Sequence, residues 1–141
     1  MRRMLGLGVA VLLAGCSSDP SGPDNGALVG RFGNADQHAE LLAVHEAAEL
    51  QLMCGSYFAF TGPIRLAADL TFREAGKYYP SGFGIPSGPI DAVAVGSYDT
   101  SSGTVNMHLE MSGDDPFPYA LHLGQSGELD KVVCALSVQA R

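Results

Sequence analysis

The sequence predicts an all-β fold: a small antiparallel up-and-down β-barrel of about eight strands, lipocalin-like in general shape. Three observations predict it. Apolar residues recur at every second position through most of the chain after residue 36. Clusters of Gly, Pro, Asp and Ser cut that alternation into short segments at close, regular spacing. One apolar face per segment then implies a single packed interior, and short connections imply that sequential strands are neighbours. Closure of the sheet removes its edges.

Ala35 to Met53 is the segment with a competing reading. It is rich in Ala, Glu and Leu, which favours helix on propensity. Alternation fits it better, because Glu49-Leu50-Gln51-Leu52-Met53-Cys54 places Leu50, Leu52 and Cys54 on one face. We read two strands, about Gln37–Val44 and Ala47–Cys54, joined at His45-Glu46, with a helix as the alternative. Tyr57 to Thr61 is aromatic and stops at Thr61-Gly62-Pro63. Ile64–Ala67 and Leu70–Tyr78 are read as strands flanking a turn at Ala68-Asp69. Tyr79 to Pro89 is a long Gly/Pro/Ser loop, followed by a strand at Ile90–Tyr98 and a turn at Asp99 to Gly103. In Thr104–Met111, Val105, Met107, Leu109 and Met111 share a face opposite Asn106, His108 and Glu110. After the turn Ser112 to Pro116, Phe117, Tyr119, Leu121 and Leu123 share a face, and a last strand is expected near Leu129–Val138.

The chain has 141 residues, which suggests one domain, preceded here by a leader and a spacer. Arg2 and Arg3 open the chain, and Met4 to Leu13 is an apolar stretch too short to span a bilayer. Leu13-Ala14-Gly15-Cys16 resembles the lipobox of bacterial lipoproteins. That resemblance implies a signal peptide over 1–15, diacylglycerol on the Cys16 sulfur and cleavage just before it. Ser17 rather than Asp follows the cysteine, which resembles outer-membrane sorting. Two or more acyl chains hold a protein firmly to a membrane, where one does so only marginally. Residues 16–27, with SSDPSGPDNGA after the cysteine, read as a flexible tether, and 28–141 as the barrel domain.

Hydrophobic residues make up 46% of the chain and charged ones 16%, so a packed core rather than a disordered chain is expected. The formal charge is −7, and loss of Arg2 and Arg3 makes it two units more negative. Such a surface repels phosphate backbones, so nucleic acid is excluded as a partner. With Cys16 lipidated, Cys54 and Cys134 remain, and two cysteines in an exported chain favour a disulfide. By alternation both lie on inward strand faces, Leu50-Leu52-Cys54 and Val132-Cys134-Leu136.

The domain also resembles a group of small, uncharacterised bacterial proteins with two cysteines. Their pattern opens G-x-W-G-G-x-H, continues through an acidic-apolar strand ending in Cys and a G-P-L-x-L-D-x-x-G-x-F stretch, and closes with a Cys near the C-terminus. Here the corresponding residues are Gly30-Arg31-Phe32-Gly33 with Gln37-His38, then Glu49 to Cys54, Gly62 to Phe72, and Lys131 to Leu136. Phe32 replaces the Trp, and Gly55-Ser56 replaces an Ala-His after the first Cys. The group brings no activity with it.

Candidate chemistry is sparse. His108 and His122, with Glu110, have the parity to lie opposite each other on outward faces. A solvated face offers no closed metal shell, so no metal site is assigned. His38 and His45 read as ordinary surface residues. No nucleophile sits beside a base, and G-x-S-x-G, H-E-x-x-H and phosphate-loop motifs are absent from the sequence. We therefore expect no enzyme and no cofactor. Tyr78, Tyr79, Phe83 and Ile85, in or beside the long loop, are the candidate contacts for a ligand or partner at a barrel mouth. The expected function is a non-catalytic binding module of the bacterial envelope, meeting a protein or glycan. The alternative is a lipocalin-like carrier of a small apolar ligand.

Overall fold

The computed structural model describes residues 22–81, 88–131 and Cys134. Nine strands run in chain order: β1 Gly22–Asp24, β2 Ala27–Asn34, β3 Ala39–Ala43, β4 Ala48–Gln51, β5 Tyr57–Phe60, β6 Thr71–Tyr79, β7 Ile90–Asp99, β8 Thr104–Glu110 and β9 Tyr119–Leu123. Each pairs antiparallel with the next, and β2 also pairs with β9. The result is a closed up-and-down barrel of eight strands, β2 to β9, with β1 as an addition. Residues 35–53, where a helix competed, form the β2–β3 turn, β3, β4 and the turn between them, and end at the first residue of a 3-10 turn.

Alternation decides what the barrel encloses. Leu28 and Phe32 of β2, Leu41 of β3, Leu50 of β4, Phe58 of β5, Phe72 of β6, Val105 of β8 and Leu121 of β9 are all buried. The inner face of β7 is small by contrast, with Ala92, Ala94 and Gly96 before Tyr98. Large rings from neighbouring strands take the volume these residues leave. A Cβ on Gly96 would sit 2.6 Å from Phe72 Cζ, and one on Gly76 would overlap the Phe58 ring. Large and small residues thus interdigitate to fill the interior.

Two strands, β1 and β2, differ from the sequence reading. The alternation of β2 is obscured by Gly30 and Gly33, so no strand is predicted there, yet β2 is the closing element. Its free edge is shared: β9 pairs with Phe32 and Gly33, and β1 pairs with Ala27, Leu28 and Val29. This corrects the tether boundary, since Gly22–Asp24 and Ala27 belong to the sheet and residues 25 and 26 form the turn between them. Exposed backbone groups on β2 need partners, and β1 supplies them. His45 Nε2 lies 2.6 Å from Asp24 Oδ2 and links this hairpin to the β3–β4 turn.

Ile64–Ala67 is not a strand. Only Arg65 bridges, to Ala27. Gly62-Pro63 sends the chain across one barrel end, where the buried Ile64 accepts a hydrogen bond from Leu28 N–H through its carbonyl (2.9 Å). We call this the near end; it also carries the turns at 44–47 and 100–103. The opposite, far end carries the connections 35–38, 52–56 and 111–118, together with residues 80, 81, 88 and 89.

The last expected strand is corrected over its first three residues, and the rest of it apart from Cys134 lies outside the described residues. Leu129–Lys131 is a 3-10 turn. After β9 the chain crosses the outer wall of β2 and β3 as a strap. Gly124 N–H donates to Arg31 O (2.7 Å), and Gly127 N–H to Glu40 Oε2 (2.9 Å). Absence of side chains at Gly33 and Gly127 permits the approach: a Cβ on Gly127 would lie 2.6 Å from Ala39 O.

Candidate interaction surface

The strap brings Cys134 to Cys54, and the two form a disulfide with Cα atoms 5.5 Å apart. The pairing is as expected, but Cys54 is not on an inward strand face. It lies in the 3-10 turn Met53–Gly55 with φ of +62°, because β4 ends at Gln51. Beside the bridge is a recess of about 490 Å³, with Glu49, Tyr57 and Leu129 on its walls.

Beneath the strap, Glu40 is 7% exposed. Its carboxylate meets Arg31 at Nε (2.8 Å) and Nη2 (3.1 Å) and also accepts from Gly127 N–H. Burial alone raises the pKa of Glu40, but the Arg31 and Gly127 hydrogen bonds and the Arg31 charge outweigh it and hold the carboxyl below its ordinary range. This ion pair is structural: it fastens the strap.

The four candidate contact residues are divided. Tyr78 turns inward at the far end, where it lines a cavity of about 80 Å³ with Leu52, Leu109, Met111, Phe117 and Tyr119. Tyr79, next along β6, takes the other face and stacks on Tyr57 with ring centroids 4.6 Å apart. Strand alternation separates them, so they do not form one contact patch. Phe83 and Ile85 lie outside the described residues. Burial, together with the neighbouring Tyr78, raises the pKa of the Tyr119 hydroxyl.

Phe117 corrects the reading of a shared inward face for 117 to 123. It is 58% exposed and precedes β9. Pro116 and Pro118 bracket it and cannot donate ladder hydrogen bonds, so the strand starts at Tyr119. The Pro-Phe-Pro spelling was the signal available in the sequence.

His108 and His122 are not brought together. The register sets His122 opposite Thr104, with Thr104 Oγ1 and His122 Nδ1 3.1 Å apart. His108 is four residues further along β8, about 13 Å at strand rise. It lies 3.5 Å from Glu110 Oε1, whose other oxygen accepts from Arg73 Nη2 (2.8 Å). The Arg73 hydrogen bond holds the Glu110 carboxyl below its usual range. Among the described residues no group of three or more His, Cys, Asp or Glu is placed to hold a metal ion.

On the outer wall, Thr71, Ser97, Asn106 and Ala120 form one cross-strand row of short side chains. They floor an open groove of about 910 Å³ that includes Arg65, Arg73 and His108. Fold and surface together define a small closed antiparallel β-barrel with a filled interior and features for contact on its outside. No family model, curated protein or solved structure matches the chain.

Proposed function

We propose that this protein is a lipid-anchored, non-catalytic interaction module of a bacterial cell envelope, held in the membrane, in the outer membrane where one exists, through Cys16. The observation that carries the interaction reading is the filled interior. Phe32, Leu41, Leu50, Phe58, Ile64 and Leu121 have no exposed surface, and Gly76 and Gly96 leave no room for a methyl group. A carrier of a small apolar ligand needs a chamber of roughly 300–1,000 Å³. The mouth at the far end encloses about 80 Å³. Contact through the outer wall, the far end or the strap is what such a barrel offers.

The anchor rests on the lipobox resemblance and its position after a short apolar leader. Cys16→Ser is expected to move the protein out of the membrane fraction and abolish incorporation of labelled fatty acid; unchanged fractionation would overturn the anchor. Native mass spectrometry of the extracted protein tests the second element. No stoichiometric small molecule is expected, and a co-purifying apolar ligand would replace the interaction reading with the carrier one.

A further inference from the structure

We propose that the far end of the barrel is a docking surface for a cationic protein partner, one presenting lysine or arginine around an apolar side chain. The inference rests on the interaction reading above and names the partner chemistry for it.

Three of the described large apolar side chains that stand exposed lie at this end: Met53 (47%), Ile90 (40%) and Phe117 (58%). They belong to one neighbourhood. Phe117 packs edge-on against Tyr119 at 5.1 Å and shares the far-end cavity with Leu52 and Tyr78. Met53 follows Leu52, and Ile90 pairs with Tyr78 across β6 and β7. An aromatic side chain held in solvent between two prolines loses little entropy on binding, which suits it to anchor a contact.

Charge selects the partner. The described connections at this end, 35–38, 52–56 and 111–118, contain no lysine or arginine, yet they carry Asp36, Asp114 and Asp115. All three are exposed, and none is in an ion pair among the described residues. The near end differs, with Arg65 in its 61–70 connection. Asp114 and Asp115 therefore form an acidic rim beside the apolar Phe117. A cationic surface with an apolar knob is complementary on both counts, and an acidic one is repelled.

The test uses the full lipidated chain in nanodiscs of uncharged lipid and two labelled helical peptides, one of Lys and Leu, the other of Glu and Leu, followed by fluorescence anisotropy. We expect the Lys/Leu peptide to bind and the Glu/Leu peptide not to bind. Asp114→Asn with Asp115→Asn, and separately Phe117→Ser, are expected to weaken binding about ten-fold, as for truncated interface anchors, and added salt is expected to weaken it in the wild type. Glu46→Gln at the near end is the control and should leave binding unchanged. Equal binding by all variants, binding of the Glu/Leu peptide, or no binding of either peptide would each overturn the proposal. Circular dichroism establishes that each variant is folded. None of these outcomes bears on the membrane anchor or on a bound small molecule, which have their own measurements above.

Discussion

Gln37 acts toward Ala120 as a strand neighbour would, although it lies in a turn. Its Oε1 accepts from Ala120 N–H (2.8 Å), and its Nε2 donates to Pro118 O (2.9 Å). Asn34 Nδ2 donates to Ala120 O (2.7 Å). Backbone pairing between β2 and β9 covers only Phe32 with Leu123 and Gly33 with His122. Two side-chain amides therefore complete the seam where β2 has already turned away. Gln37→Leu is expected to cost about 1–2 kcal/mol, from backbone groups left unpaired. It should also speed hydrogen exchange at the Ala120 amide. Unchanged exchange there would show that the seam does not depend on Gln37.

The filled interior makes Gly96→Ala a sharp test. The new methyl would meet Asn106 O at 2.5 Å and Phe72 Cζ at 2.6 Å. We expect a loss of about 1–3 kcal/mol, typical of overpacking, visible as a lowered melting temperature. Gly62→Ala meets nothing within 4 Å and serves as the near-neutral control. A Gly96→Ala protein as stable as the wild type would mean that the barrel has unfilled space.

Glu40 should make the stability depend on pH on the acid side. Its pKa is lower in the folded chain than the ordinary 4.5, so its stabilisation is complete above the unfolded carboxylate range. The contribution is lost as the pH falls through the depressed folded pKa. Glu40→Gln keeps an acceptor for Gly127 N–H but loses the charge-assisted bonds to Arg31. At pH 7 it is expected to cost about 1–2 kcal/mol, reduced because Arg31 is half exposed. As the pH falls below the ordinary carboxylate range and through the depressed folded pKa, the wild-type carboxyl is itself protonated and the difference should shrink. Urea titrations at several pH values measure both; a pH-independent difference would rule out the carboxylate as its source.

The Cys54–Cys134 bridge closes a sequence separation of 80 residues. Chain entropy gives such a loop about 4.5 kcal/mol of stabilisation, as an upper figure. Cys54→Ser with Cys134→Ser should lower the denaturant midpoint accordingly. Alkylation before and after reduction should show by mass that both thiols appear only after reduction. Thiols alkylated without reduction would count against the bridge.

The sequence by itself determined the all-β class, the barrel and most strand positions, because a period of two in apolar residues is local and survives in any register. It also paired Cys54 with Cys134, on the expectation that the third cysteine, Cys16, is taken by the lipobox. Tertiary structure alone decided the closure. β2 is nearly silent in sequence because Gly30 and Gly33 interrupt its alternation, and Gly33 is glycine for the sake of a strap arriving from residue 125. Ile64 alternates like a strand residue but seals an end; Tyr78 and Tyr79 are adjacent in sequence and opposite in space. Phe117 is apolar yet exposed because prolines on both sides keep it out of the sheet. Closure, the strap and the sealed end depend on which distant backbone lies alongside, a relation between residues far apart that a local pattern of apolar side chains does not encode, whereas the places of Phe117 and Tyr79 follow from neighbours in the chain.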